Sequence, residues 1–167
     1  MSSELRVDKI VPIDGVPTGG GGGIVQVVNL VKTDSFSTTS TSLVDITGFS
    51  LSITPKFNTS KILVLASGYI SSQGNNHGVH LFFYRTRSGQ SDVEVGKSYN
   101  QKATVQSQTG GTFLIQNLDS PATTSTLTYK GRLQTDSSSY NARIGAGGNN
   151  GTQNIPESVI TLLEVSA

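Results

Sequence analysis

The run Phe49-Ser50-Leu51-Ser52-Ile53 alternates apolar and polar residues without a break. A period of two puts Phe49, Leu51 and Ile53 on one side of an extended chain and the serines on the other, which a helix of 3.6 residues per turn cannot do. Similar short runs recur along the chain. Ile24 to Val31 is rich in β-branched residues and apolar on both faces, and Lys61 to Ile70 is the most apolar stretch of all. Val79 to Arg87, Asp92 to Gly96, Thr112 to Gln116, Leu127 to Leu133, Tyr140 to Ile144 and Ser158 to Val165 follow. Leu43 to Ile46 reads as a run separate from Phe49 to Ile53, and Phe36 to Ser42 as an edge strand or loop. Turn formers stand between the runs: Thr54-Pro55, Gln73 to Gly78, Ser88-Gly89-Gln90, Asp119-Ser120-Pro121 and Gly145 to Gly151. Roughly eight to ten short strands with no helical period predict an all-β fold, an antiparallel β-sandwich or barrel.

In a two-layer sandwich only one face of each sheet meets the core. Several of these runs are apolar on both faces, so the surplus predicts contact with other chains. Val79 to Tyr84 and Val159 to Val165 are the expected donors of that contact.

Gly19-Gly20-Gly21-Gly22-Gly23 divides the chain in two. Five glycines have no side chains to pack and lose much backbone entropy on ordering, so the run reads as a hinge. It closes an extended N-terminal arm, residues 1–23, ahead of a sandwich domain, residues 24–167. Leu5, Val7, Ile10, Val11, Ile13 and Val16 make the arm too apolar for an ordinary disordered leader. A short isolated strand is unstable in water, so the arm is expected to dock on its own domain, a sister chain or another protein.

Composition narrows the function. Charged residues are 14% of the chain, against roughly 25% in an average domain. The polar surface is instead Ser, Thr, Asn and Gln, as suits a protein that sits in an assembly. Net charge is +1 with no basic cluster, which argues against a nucleic-acid binder. There is no cysteine, so disulfides, thiolate zinc sites and thiol catalysis are excluded. No stretch approaches 18 consecutive apolar residues, and the polar start, with an acid at Glu4, does not read as a secretory signal. The expectation is synthesis in a host cytoplasm, with no membrane partner.

Candidate chemistry is sparse. His77 and His80 are the only histidines, too few for a zinc site within one chain. Asp92 and Glu94 lie two apart on one strand face. A glycosidase places its carboxyls about 5 to 9.5 Å apart, but a pair on an exposed strand is ordinarily solvated surface. No serine sits in a Gly-x-Ser-x-Gly elbow, and the glycine run lacks the Gly-Lys-Ser/Thr ending of a phosphate loop. No enzyme activity, cofactor or metal is expected.

Thr33 to Ser42, running on through Asp45 to Pro55 and Ser60 to Val64, resembles a domain of bacteriophage tail fibres and other virion proteins, marine phages above all. Leu118 to Ser125 and the terminal Ile160 to Ala167 resemble its later signatures, and Leu5 to Pro12 with the glycine run is similar to the linkers that precede it. The motifs are strand and turn patterns rather than catalytic ones. The resemblance implies a jelly-roll-like sandwich, related in shape to tumour-necrosis-factor-like heads that trimerise about a three-fold axis. The long shaft usual in fibre proteins is missing here. What it implies is a homotrimeric virion surface component, either a capsid decoration or spike or a short tail fibre, bound to other virion proteins by the arm. Leu81, Phe82, Phe83, Tyr84, Ile160 and Leu162 are the expected trimer interface. The competing expectation is a lectin-like adhesin for host surface glycans, with Asn75, Asn76, Tyr140, Asn149 and Asn150 as candidate contacts.

Overall fold

The computed structural model describes residues 23–72, 77–100, 109–146 and 156–166. The strands in chain order are β1 (Ile24–Lys32), β2 (Phe36–Thr38), β3 (Val44–Ile53), β4 (Lys61–Ser72), β5 (Val79–Thr86), β6 (Val93–Asn100), β7 (Thr109–Asp119), β8 (Leu127–Thr135), β9 (Ala142–Ile144) and β10 (Ser158–Val165). Every pairing is antiparallel.

The pairs nest. β5 pairs with β6, β4 with β7, β3 with β8, and β1 with β10. One long hairpin has been rolled over on itself, which is the jelly-roll path. The first sheet runs β1-β10-β4-β7, with β9 and then β2 continuing beside the far half of β4. The second runs β3-β8-β5-β6. The all-β antiparallel sandwich expected from the alternation is the fold of the chain.

Leu43 to Ile46 and Phe49 to Ile53 turn out to lie on one strand. The register of β3 against β8 jumps between Asp45 and Ser50. Gly48 sits in this bulge at φ +73°, a left-handed backbone that a side chain would strain. The extra residues let Ile46, Phe49 and Ile53 all reach the core despite their spacing.

Between the sheets, Phe49 meets Phe83 and Phe113 edge-on at 6.0 and 6.3 Å, the arrangement that ring quadrupoles favour. Gly131 faces inward on β8, where the Phe49 ring fills the space a side chain would need. Two polar groups, one half-buried and one buried, tie the structure at one end. Arg85 Nη1 of the second sheet donates to both oxygens of Asp119 in the first, each at 2.7 Å, and Tyr129 Oη donates to Asp119 Oδ2 at 2.7 Å. Glu164 on β10 accepts from Gln26 Nε2 and, at 2.7 Å, from the Lys56 N–H.

The strand directions give the sandwich two unlike ends. At one end lie Gly23, the 54–60 loop, the 87–92 turn, the 120–126 loop and the close of β10. His77 and Tyr140 lie at the other. Gly23, which the sequence places in the hinge, directly precedes β1 and is hydrogen-bonded to Ser166, just past the end of β10. Its N–H donates to Ser166 Oγ at 2.9 Å, and its carbonyl accepts from the Ser166 N–H at 2.9 Å.

Candidate assembly interface

The two sheets bury their inner faces against each other and present very different outer faces. On β10, Ile160, Leu162 and Glu164 turn inward, so Val159, Thr161, Leu163 and Val165 turn out. On β4 the inward set is Ile62, Val64 and Ala66, leaving Leu63, Leu65 and Ser67 outside. Phe113 and Ile115 of β7 are buried, while Leu114 and Leu118 are 65% and 52% exposed. On β1, Val27 and Val31 are 54% and 45% exposed.

The register assembles these residues into rows across the first sheet. One row is Val27, Leu163, Leu63 and Leu118, and another is Val31, Val159, Ser67 and Leu114. Between them runs Asn29, Thr161, Leu65 and Gln116. The middle row is partly satisfied within itself, because Asn29 Nδ2 donates to Thr161 Oγ1 at 2.8 Å. None of the twelve positions is charged. An open apolar face of this extent marks a surface that meets something else. Fully burying one Val or Leu side chain is worth roughly 1.5–3 kcal/mol. Eight such side chains, several about half exposed, are therefore of the size needed to offset an association cost of about 4–15 kcal/mol.

The outer face of the second sheet is the opposite case. Asp45 accepts from Lys130 Nζ at 2.7 Å and Arg132 Nε at 2.6 Å, and Arg132 Nη2 donates to Asp92 Oδ2 at 2.5 Å. The Arg132 guanidinium also lies 4.7 Å from the centre of the Tyr84 ring. Partial burial pushes the Asp45 carboxyl up, but hydrogen bonds from Lys130 and Arg132 outweigh it and hold the group below the usual carboxylate range. The face stays charged, hydrated and internally paired.

The sequence-named interface residues divide between these environments. Leu81, Phe83, Ile160 and Leu162 are wholly buried in the chain's own core, so they are not available to a neighbouring copy. Phe82 and Tyr84 point outward on the second sheet and stack on each other at 6.4 Å. The expected surplus apolar surface does exist on Val159 to Val165, but on the alternate residues. Exposed apolar positions also stand on β1 and β7, outside the two stretches expected to make the contact. In β1, β4 and β10 apolar residues occupy both faces, and that was the only signal.

Asp92 and Glu94 serve separate cations, Glu94 pairing with Lys97 at 3.2 Å. His80 Nδ1 lies 3.3 Å from Gln134 Nε2. His77 lies 3.0 Å from Asp136 and stacks on Tyr140 at 4.1 Å. Among the described residues no three His, Cys, Asp or Glu side chains gather as a metal site. Leu5, Val7, Ile10, Val11, Ile13, Val16, Gly19, Gly20, Gly21, Gly22, Asn75, Asn76, Asn149 and Asn150 lie outside the described residues.

No family model matches the chain, and no curated protein matches it in sequence. Among solved structures it is similar to that of infectious bursal disease virus, Gx strain, with a TM-score of 0.47 and 13% identity over 99% of this chain and 45% of that one. It is also similar to the VP2 subviral particle of infectious bursal disease virus, with a TM-score of 0.48 and 14% identity over 96% of this chain and 43% of that one. This chain spans less than half the length of either.

Proposed function

We propose that the chain is a non-enzymatic structural protein of a bacteriophage virion. In this reading it is a homotrimeric surface component, a capsid decoration or spike or a short tail fibre, anchored to other virion proteins by its N-terminal arm. The observation that carries the reading is the uncharged, largely apolar patch of twelve positions on the outer face of the first sheet, bordered by Lys61, set against the ion-paired outer face of the second. One face is built to be covered by copies of the chain and the other to remain in water. The three-fold count and the phage setting come from the resemblance of the strand and turn motifs. The arm joins the domain at the Gly23 end, so an anchor there leaves the His77 and Tyr140 end directed outward.

Light scattering on the purified chain tests the assembly, with three times the 17.5 kDa chain mass expected. A stable monomer overturns the assembly reading, and a dimer overturns the trimer. Deleting Met1 to Thr18 is expected to abolish attachment to empty capsids or tails while leaving the domain folded.

One observation favours the lectin-like reading as a second role. Tyr140 is 37% exposed and stacked on His77, a flat aromatic surface at the outward end. Glycan-array binding that is lost in Tyr140→Ala would establish it.

A further inference from the structure

At the Gly23 end a small cleft of about 100 Å³ opens between the 87–92 turn and the 120–126 loop. Its polar side is Arg85, Arg87, Gln90 and Ser91, and Pro121 and Leu127 supply apolar wall. Drug-sized ligands occupy roughly 300 Å³ or more, so this cleft suits one small group rather than a whole molecule.

The two arginines differ. Arg85 is neutralised by Asp119, which also accepts from Tyr129, and the triad fixes its guanidinium at the junction of the sheets. Both Asp119 bonds come from Nη1, so Nε and Nη2 lie outside that pair. Arg87 is half-buried and makes no ion pair among the described residues. Among the described residues the cleft therefore carries one unmatched positive charge beside a rigid second guanidinium, with amide and hydroxyl groups alongside.

We propose that this cleft is a recognition site for a single carboxylate, an aspartate or glutamate side chain of a protein partner. One unmatched cation fits a singly charged group better than a phosphate. Guanidinium groups bind carboxylates through paired, charge-assisted N–H donors, and arginine clusters are a recurring reader of acidic peptide motifs. No lining residue is aromatic, so the cleft offers no flat face to a sugar ring. The choice of a protein partner rests on the anchoring proposed for this end, whereas the anion chemistry does not. None of the lining residues belongs to the apolar face, so oligomeric state is measured separately on the same sample.

The test is a titration of the ¹⁵N-labelled full chain with the blocked peptide acetyl-Gly-Glu-Leu-Gly-amide, its Gln counterpart, and glucuronate. Saturable shifts of the Gln90 and Ser91 amides are expected with the Glu peptide and not with the Gln peptide. Arg87→Gln should weaken that binding at least about tenfold, and Arg87→Lys, which keeps the charge but loses the fork, should retain part of it. The amide spectrum reports whether each variant is folded. Absence of saturable shifts, equal binding of the Gln peptide, or binding unchanged in Arg87→Gln overturns the proposal. Glucuronate binding without peptide binding overturns it in favour of an acidic sugar.

Discussion

Glu164 is a carboxylate shut away from water on a strand whose other inward residues are Ser158, Ile160 and Leu162. Burial pushes its pKa up. The neighbouring Ser60 hydroxyl, the Gln26 amide and the Lys56 and Phe57 N–H groups outweigh that and hold it below the ordinary glutamate value. The unfolded chain then takes up the proton more readily than the folded one. Stability from this group is fully present above an unfolded pKa of about 4.3 and is lost as pH falls through the folded value. Glu164→Gln keeps the volume but turns an N–H group toward other donors, and it should cost roughly 1–3 kcal/mol at pH 7. Urea unfolding of both proteins should show that gap narrowing as the buffer is taken toward pH 3. A gap independent of pH would mean that the buried group is not an ionised carboxylate. Gly131 makes a second test at this scale. A Cβ there would lie 2.7 Å from Phe49 Cδ1 and 3.1 Å from Ile46 Cδ1. Gly131→Ala should therefore destabilise by about 1–3 kcal/mol through overpacking. Phe49→Leu in the same chain should recover part of the loss. Additive urea midpoints in the double mutant would show that the two positions do not share that space.

At the scale of the strand, period two assigns residues to faces but does not say which face is inward when both are apolar. Phe49, Leu51 and Ile53 were legible because serines mark the other side. In Val159 to Val165 the two polar marks conflict, Thr161 standing on one face and Glu164 on the other, and the charged one is on the inward side. The inward set is fixed only by β1 and β4 pairing on either side and by the second sheet lying over Ile160 and Leu162. The bulge at Gly48 was illegible for a related reason. A change of register shows itself only against a partner strand, and β8 lies more than 70 residues away in sequence. The outer face that emerges can be tested without touching the core. Leu114→Glu with Leu118→Glu places two charges on exposed β7 positions. Single surface substitutions usually shift stability by less than about 0.5 kcal/mol, so the isolated chain should unfold nearly as before. The assembled species should dissociate to monomers in light scattering. A control that adds a charge to the hydrated face, Ser52→Asp, should leave the assembly intact. Dissociation by both variants, or by neither, would remove the first sheet as the contact surface.

At the scale of the whole molecule, the rolled hairpin places the first described strand beside the last, so the first sheet is complete only when β1 and β10 have paired. Covering the first sheet with other copies adds a second layer of closure. That coupling is measurable as mass action. When the assembled form is the stable one, its thermal midpoint must rise with protein concentration, because dilution favours the separated and unfolded chains. For a trimer of chains this size, a tenfold rise in concentration should move the midpoint by about 2–4 °C. Salt separates the cause. Exposed ion pairs such as those of Asp45 and Arg132 are screened at about 1 M, whereas a contact made by Val and Leu side chains is not, and sulfate should strengthen it. The expected result is a concentration-dependent midpoint that survives 1 M sodium chloride, rises in sulfate, and becomes concentration-independent in Leu114→Glu with Leu118→Glu. A midpoint that is flat with concentration in the unaltered chain would mean that the apolar face adds nothing to stability, and the case for a particle building block would fall with it.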